Sequence, residues 1–322
     1  MINFAKYRAT YFLFSLGLIV AGLAALFLGP GLSFSIEFSS GAAVDATFVN
    51  PTPQEHVDEA IDSLGYEGAV VQGFGDREYF LRLPLAEQSE RQQLDVRNAL
   101  EEFAGPLQGY SFDLVSPAVA RETVRNGLIA VLIAVVGILG YIVYAFRSIR
   151  HPFRYGIAAI IALVHDIAVA FAVAGLFMLV GSQWLHLEIS SMFLVGVLTL
   201  LGYSINDTIV VFDRIRENIL RDTNRDIVAT ANYSIMESMG RSINTSFTTL
   251  VVLLALFLLG PVTIRDFLFV MIIGVVSGTY SSIFTASQVI VSWETRSFGK
   301  IPFIGGGRGG STPTAAPSVS TS

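Results

Sequence analysis

Four ionisable side chains stand inside stretches that are otherwise apolar: Asp207, Arg241 and the adjacent pair His165 and Asp166. In a segment that crosses a bilayer, each costs several kcal/mol unless it is paired or hydrated. Such residues therefore mark an ion or proton pathway by default. Asp207 belongs to the run Ser204-Ile205-Asn206-Asp207-Thr208, six residues before Asp213. At helical rise that is roughly 9 Å of depth from the polar edge. Arg241 opens a hydroxyl- and amide-rich start to the next apolar stretch, with Asn244, Thr245, Ser246, Thr248 and Thr249. If both stretches enter from the same side, Asp207 and Arg241 reach similar depths and can pair across neighbouring helices. Burial and a neighbouring cation act on a carboxylate in opposite senses, so such a pair can take up and release a proton. A fixed ion pair that only joins two helices is the other reading.

His165 and Asp166 lie about 14 residues in from Pro152, roughly 20 Å at helical rise. Neighbours on a helix point about 100° apart, so the two need not bond each other. They read either as a polar relay facing the bundle or a partner, or as a satisfied interior pair. Gly274-Val-Val-Ser-Gly278 permits close helix approach. The hydroxyls after it, Thr279, Tyr280, Ser281, Ser282 and Thr285, can also hydrate a path towards Asp207. Asp213-Arg214-Ile215-Arg216-Glu217-Asn218 and the amphipathic stretch to Met239 predict a pair of surface helices at the membrane face. They would serve as a contact surface or as a solvated connector.

The elements that must carry these residues follow from composition. The chain has 322 residues, 52% hydrophobic and only 14% charged, where a soluble domain carries about a quarter. Six stretches are apolar enough to span a bilayer: Thr10–Leu28, Asn126–Phe146, Phe153–Val180, Glu188–Phe212, Ser238–Leu259 and Phe267–Ser292. The first reads as an uncleaved anchor, since its apolar run is long for a signal peptide and no small-x-small cleavage site follows. Basic residues crowd the N-terminus (Lys6, Arg8), the loop after span two (Arg147, Arg150, Arg154), the loop after span four (Arg214, Arg216, Arg221, Arg225) and the tail (Arg296, Lys300, Arg308). By the positive-inside rule both termini face the cytoplasm. Cysteine is absent, which excludes disulfides, thiol catalysis and Cys-based metal sites. No catalytic constellation, ATP-binding motif, metal site, cofactor or nucleic-acid partner is expected.

Residues 29–124 carry a net charge of −11 while the remainder carries +5, as expected of a soluble domain translocated to the outside. Its pattern is strand–helix–strand–strand–helix–strand, which suggests a ferredoxin-like α+β unit. Ala43–Val49 is the first strand. Thr52-Pro53-Gln54-Glu55 reads as a capping box with Pro at the first helical position. Val57, Ala60, Ile61 and Leu64 form that helix's apolar face, and His56 is a solvated residue in its first turn. Ala69–Phe74 and Glu78–Leu83 form a hairpin around Gly75-Asp76. Ser89-Glu90-Arg91-Gln92 reads as a second capping box, and Tyr110–Val115 as the last strand. The predicted organisation is residues 1–28 as N-terminus and first span, 29–124 as outer domain, 125–300 as spans two to six, and 301–322 as a disordered tail.

The run Leu201-Gly-Tyr203-Ser-Ile-Asn206-Asp207-Thr-Ile-Val-Val-Phe-Asp213-Arg214-Ile-Arg216-Glu217-Asn218 resembles the signature of the SecF family around its fourth span. Arg241-Ser-Ile-Asn-Thr-Ser-Phe-Thr-Thr-Leu250, Leu163-Val-His-Asp166 and Gly278-Thr-Tyr-Ser281-Ser-Ile283 are similar to its fifth, third and sixth spans. The resemblance covers about residues 1–300. One departure stands out: the family usually has Ile-Asp-Phe-x-Gly-Gly after the first span, and here the run is Ile36-Glu-Phe-Ser-Ser-Gly41. The resemblance implies a six-helix membrane bundle, half of an RND-like transporter, that is no enzyme. It implies pairing with a SecD-like subunit beside the SecYEG channel in the bacterial cytoplasmic membrane. It further implies use of the proton motive force to draw unfolded polypeptides outward, with Asp207 and Arg241 as the functional charged pair. Two alternatives remain: a half-size RND-like exporter of lipids or small molecules, and a scaffold that uses no protons. A single outer domain of about 95 residues argues against the exporter, which usually has larger outer domains that build a substrate tunnel.

Overall fold

The computed structural model describes residues 3–28, 33–66, 68–84, 90–179, 188–222, 225–261 and 264–295. The tail from Gly305 and the second capping box, with Ser89, lie outside the described residues. Among the described residues six helices are long and apolar enough to cross a membrane. They are formed by α1 (Arg8–Leu28, led by a 3₁₀ turn Phe4–Tyr7), α5 (Pro117–Ala145), α6 (Pro152–Leu179), α7 (Ser191–Arg221), α8 (Ile227–Leu259), and α9 (Arg265–Ser281) continued through a π-helical turn Ser282–Ala286 into α10 (Ser287–Glu294). Helices are the solution lipid imposes, because every backbone amide and carbonyl finds its partner within the segment.

Polar residues set the starts. Ser116 accepts from the Val119 amide ahead of Pro117, Ser190 accepts from Phe193, and Asp226 accepts from Val228. The Asp226 cap explains why the fifth span starts at Ile227 rather than Ser238. Among the described residues no separate surface helix pair forms. The charged run to Asn218 continues α7 without a break to Arg221, and the amphipathic stretch to Met239 is the first part of α8.

Small residues bring the helices together, as close packing must do where lipid tails remove the hydrophobic drive. A Cβ on Gly22 of α1 would lie 2.3 Å from the Ala172 carbonyl of α6, and one on Gly274 of α9 would lie 2.3 Å from Leu200 of α7. Helices α6, α7 and α9 form the buried centre. There Leu163, Leu200, Leu201 and Phe212 are almost wholly covered.

Between α1 and α5 stands an α+β domain. Its elements are α2 (Ile36–Ser39), β2 (Gly41–Phe48), α3 (Gln54–Ser63), β3 (Val70–Phe74), β4 (Glu78–Leu83), α4 (Glu90–Phe103) and β5 (Leu107–Val115). The four strands lie in the order β3-β4-β2-β5, all antiparallel. The even-numbered residues of β2 point inward against Val57, Ile61, Val96 and Leu100 of α3 and α4, as the period-2 pattern requires. The first expected capping box does not form. Pro53 is the N-cap and makes no side-chain bond, while the Thr52 hydroxyl donates to the Asn50 and Ala104 carbonyls. Thr52 thus ties the β2–α3 loop to the end of α4. His56 is exposed in the first turn of α3.

The departure at Ile36–Gly41 has a conformational cost. Ser40 sits at φ 66°, ψ 164°, a region essentially reserved for glycine, in the position where the family pattern has Gly. Gly41 follows at φ 125°, and a Cβ there would lie 2.6 Å from the Leu83 carbonyl. Ser40→Gly removes the strain and adds some unfolded-state freedom. The net expectation is a gain of about 1 kcal/mol, read as a raised thermal midpoint of the full-length protein in detergent. A lowered midpoint would contradict the strain.

Candidate functional site

Two carboxylates lie buried among α6, α7, α8 and α9, and they are supplied very differently. Asp166 of α6 is 0% exposed. Its Oδ2 accepts from Ser204 Oγ of α7 at 2.5 Å and from Ser281 Oγ of α9 at 2.8 Å. Its Oδ1 accepts from Ser277 Oγ of α9 at 2.6 Å and lies 3.0 Å from His165 Nδ1. The two neighbours on α6 therefore do bond each other, which the helical 100° offset left open. The imidazole also stacks on Tyr280, centroids 6.1 Å apart. Tyr280 in turn donates to the Tyr11 carbonyl of α1 at 3.1 Å. His165 Nε2 is buried without a partner among the described residues. The ring lines an apolar cleft of about 380 Å³ between α1, α6 and α9, with Phe14, Leu18 and Ile273.

Asp207 of α7 is 3% exposed. Its Oδ2 is 3.3 Å from Ser246 Oγ of α8 and 3.4 Å from Thr279 Oγ1 of α9. These hydroxyls are 2.5 Å from each other, and Thr279 also has the Val275 carbonyl at 2.8 Å. Each hydroxyl has one hydrogen to give, so the two cannot both serve Asp207 and bond each other and Val275 as well. Tyr203, one turn earlier on α7, reaches Ser246 and Thr249 at 3.5 and 3.4 Å.

Helix α9 links the two carboxylates. Ser277 and Ser281, four residues apart, share a face and meet Asp166. Thr279, on another face, meets Asp207. Gly278 lets this happen, since a Cβ there would stand 3.0 Å from Ser204 Cβ. The Gly-x-x-x-Gly packing thus brings Thr279 to Asp207 and Ser277 and Ser281 to Asp166.

The expected Asp207–Arg241 ion pair is not formed among the described residues. Ser242 and Ser246, one turn apart, are the residues α8 turns inward, and both are buried. Arg241 is exposed, as are Asn244 and Thr248 on the same helix and Asn206 on α7, though its charge still acts on Asp207 through space. Asp213, Arg214, Arg216, Glu217 and Asn218 form a separate cluster at the end of α7. Arg216 pairs with Asp213 at 2.6 Å, donates to the Ala145 carbonyl at 3.0 Å and lies over Phe146. Arg214 pairs with Glu217 at 2.8 Å, and Asn218 donates to Ser234 at 2.9 Å. This cluster fixes α7 against α5 and α8. Ser204, Ser277 and Ser246 emerge as site residues only from the structure, which also shows Thr279, one of the expected hydroxyls, in contact with Asp207. The i, i+4 spacing of Ser277 and Ser281 around Gly278 is the signal in sequence that points to them.

A family model described as the C-terminal part of the protein export membrane protein SecD/SecF matches residues 95–296. The chain is 40% identical over 311 residues to the protein translocase subunit SecF of Thermobaculum terrenum, covering 94% of this chain and 96% of that one. It is 32% identical over 306 residues to the protein translocase subunit SecDF of Bacillus subtilis, covering 92% of this chain and 39% of that protein. The crystal structure of SecDF from Thermus thermophilus, a translocon-associated membrane protein, superposes with a TM-score of 0.77 at 30% identity, covering 92% of this chain and 39% of that one. The chain thus spans nearly the whole of a SecF subunit and about two fifths of a fused SecDF.

Proposed function

Because the chain belongs to the SecF family of protein-export membrane proteins, we propose that it is the SecF subunit of an accessory complex that assists Sec-dependent export. It works with a SecD-like subunit beside the SecYEG channel and draws on the proton motive force to help unfolded polypeptides leave the cytoplasm. It is a transport component, not an enzyme. In this reading both termini lie in the cytoplasm of a bacterium and the membrane is the inner one, in keeping with the positive-inside bias. The α+β domain lies outside, and its strand order β5-β2-β4-β3 supports a ferredoxin-like unit.

One observation carries the proton reading. Asp207 is almost wholly covered where three spans meet, yet among the described residues it is offered only two long, shared hydroxyl contacts. Asp166 has three short ones and an imidazole. A buried carboxylate needs donors to stay charged, so Asp207 is the one suited to exchange a proton. His165 and Asp166 serve that exchange as positioning groups, holding α6, α7 and α9 in register. Arg241 and Asn206 face out of this subunit at membrane depth. Lipid cannot satisfy them, which supports a SecD-like surface covering them and closing the proton path.

Membrane vesicles depleted of the chain and then resupplied with it provide the test, read as export of a Sec-dependent precursor. The chain should co-purify with a SecD-like subunit. Its contribution to export should vanish when an uncoupler collapses the proton gradient. An increment that survives the uncoupler defeats the motor. A homotrimer active without a SecD-like chain, and moving lipids or small molecules, favours the exporter.

A further inference from the structure

Helix α7 begins in a grip supplied by the α+β domain. Of the first-turn amides that a helix leaves unpartnered, that of Ser191 donates to Glu37 Oε2 at 2.6 Å. Glu37 lies on the one-turn helix α2, which runs directly into the central strand β2. A carboxylate suits that place, because the amide ends and the helix dipole both favour an anion there. Beside it the short strand β1 (Ser33–Phe34) pairs in parallel with β6 (Glu188–Ile189), just ahead of α7. The Ser35 amide donates to the Ile189 carbonyl at 3.1 Å.

A second side chain reaches the same spot from the sheet. Arg82 of β4 pairs with Glu188 at 3.4 Å, both side chains largely covered, and donates to the Phe34 carbonyl. On the membrane side the Asp266 carboxylate, at the start of α9, lies beside Glu188. From Ser191 the helix runs unbroken past Ser204, a ligand of Asp166, to Asp207. That is roughly 24 Å of rigid rod at 1.5 Å per residue. A rod held at one end by the domain and at the other by the buried carboxylates passes shift and rotation between them.

We infer that Glu37, assisted by Arg82, is the joint through which a change at Asp207 moves the α+β domain. The inference rests on the reading of Asp207 as the proton-exchanging group. It gives the Ile36-Glu-Phe-Ser-Ser-Gly41 segment a mechanical role. The acid at position 37 holds the helix start, and the Ser40-Gly41 turn carries the chain from that hold into the sheet.

The absence of cysteine makes paired labelling simple. Spin labels on cysteines introduced at Glu59, exposed on α3, and Leu259, exposed at the end of α8, report the distance between domain and bundle. The measurement is made in the full-length chain with its SecD-like partner. Asp207→Asn, a stand-in for the protonated acid, should shift that distance. In a Glu37→Gln background the shift should collapse, because the amide loses its anionic acceptor. Glu37→Asp should restore it. A shift of equal size with Glu37→Gln, or no restoration by Glu37→Asp, overturns the joint alone. No shift in the otherwise unmodified chain removes the motor reading, and the joint with it. Equal recovery of partner-bound complex across the variants separates lost transmission from lost folding.

Discussion

Asp207→Asn reduces export to the level of membranes lacking the chain whenever export depends on the proton gradient, and leaves the bundle folded. The substitution keeps the shape of the side chain, and an amide turned to place its oxygen where Oδ2 stands leaves Ser246 and Thr279 an acceptor. Single interhelical hydrogen bonds inside membranes are worth about 0.6 kcal/mol on average, so stability should move by less than about 1 kcal/mol. An amide cannot carry the proton, however. Nor can it alternate between a charged form that draws donors inward and a neutral form that releases them. Asp207→Glu restores the chemistry at the cost of one methylene pressed against Thr279 and Ser246, which predicts partial activity. The measurement is precursor export in vesicles with an imposed pH difference, alongside melting of the purified complex. Proton-dependent export surviving in Asp207→Asn at the same protein level would show that the exchanging group lies elsewhere.

The sequence makes the six spans and the order of the α+β elements legible, because apolar length and period-2 alternation are local properties. The hairpin at Gly75-Asp76 and the apolar face of α3 follow from the same kind of signal. What depends on distant partners is less legible. Thr52 looks like an N-cap by its spacing, but the Ala104 carbonyl, 52 residues away, competes for its hydroxyl. The start of α8 is masked because its amphipathic beginning reads as a surface element until Asp226 is seen capping one continuous helix. At the site, Asp207, Asp166 and His165 can be picked out as charges in apolar surroundings. Their partners are harder to pick, since hydroxyl-bearing residues are common in membrane helices: the run after Gly278 points to Thr279 and Ser281, but only the helix crossing selects Ser204, Ser246 and Ser277. Arg241 is the instructive case: depth along two helices places it near enough for its charge to act on Asp207, but rotation about α8 leaves the two without a direct ion pair among the described residues. Depth is read by counting residues, whereas rotation is set by which face packs inward, here that of Ser242 and Ser246.

Asp166→Ala is expected to be among the most damaging single changes in the bundle for stability rather than for proton use. Three hydroxyls from two helices and one imidazole nitrogen converge on this carboxylate. Removing it orphans all four at once. Ser281 has a fallback in the Gly278 carbonyl at 3.3 Å, and the other serines can turn towards their own helix backbones, which tempers the loss. Four membrane hydrogen bonds and a small cavity together suggest roughly 2–4 kcal/mol. Asp166→Asn should fall between wild type and Ala, because hydroxyls can accept from the new amide nitrogen as well as donate to the oxygen. The unfolding resistance of the purified complex measures the order wild type, Asn, Ala. A double-mutant cycle of Asp166→Asn with Ser204→Ala separates a clamp from a bystander. Contacting partners should show a coupling of about 0.5 kcal/mol or more, and additive losses would remove the clamp. If Asp166 only positions helices, Asp166→Asn lowers the amount of export while its dependence on imposed pH keeps its shape. A flattened pH response in that variant would instead make Asp166 a second proton carrier, in line behind Asp207 across the hydroxyls of α9.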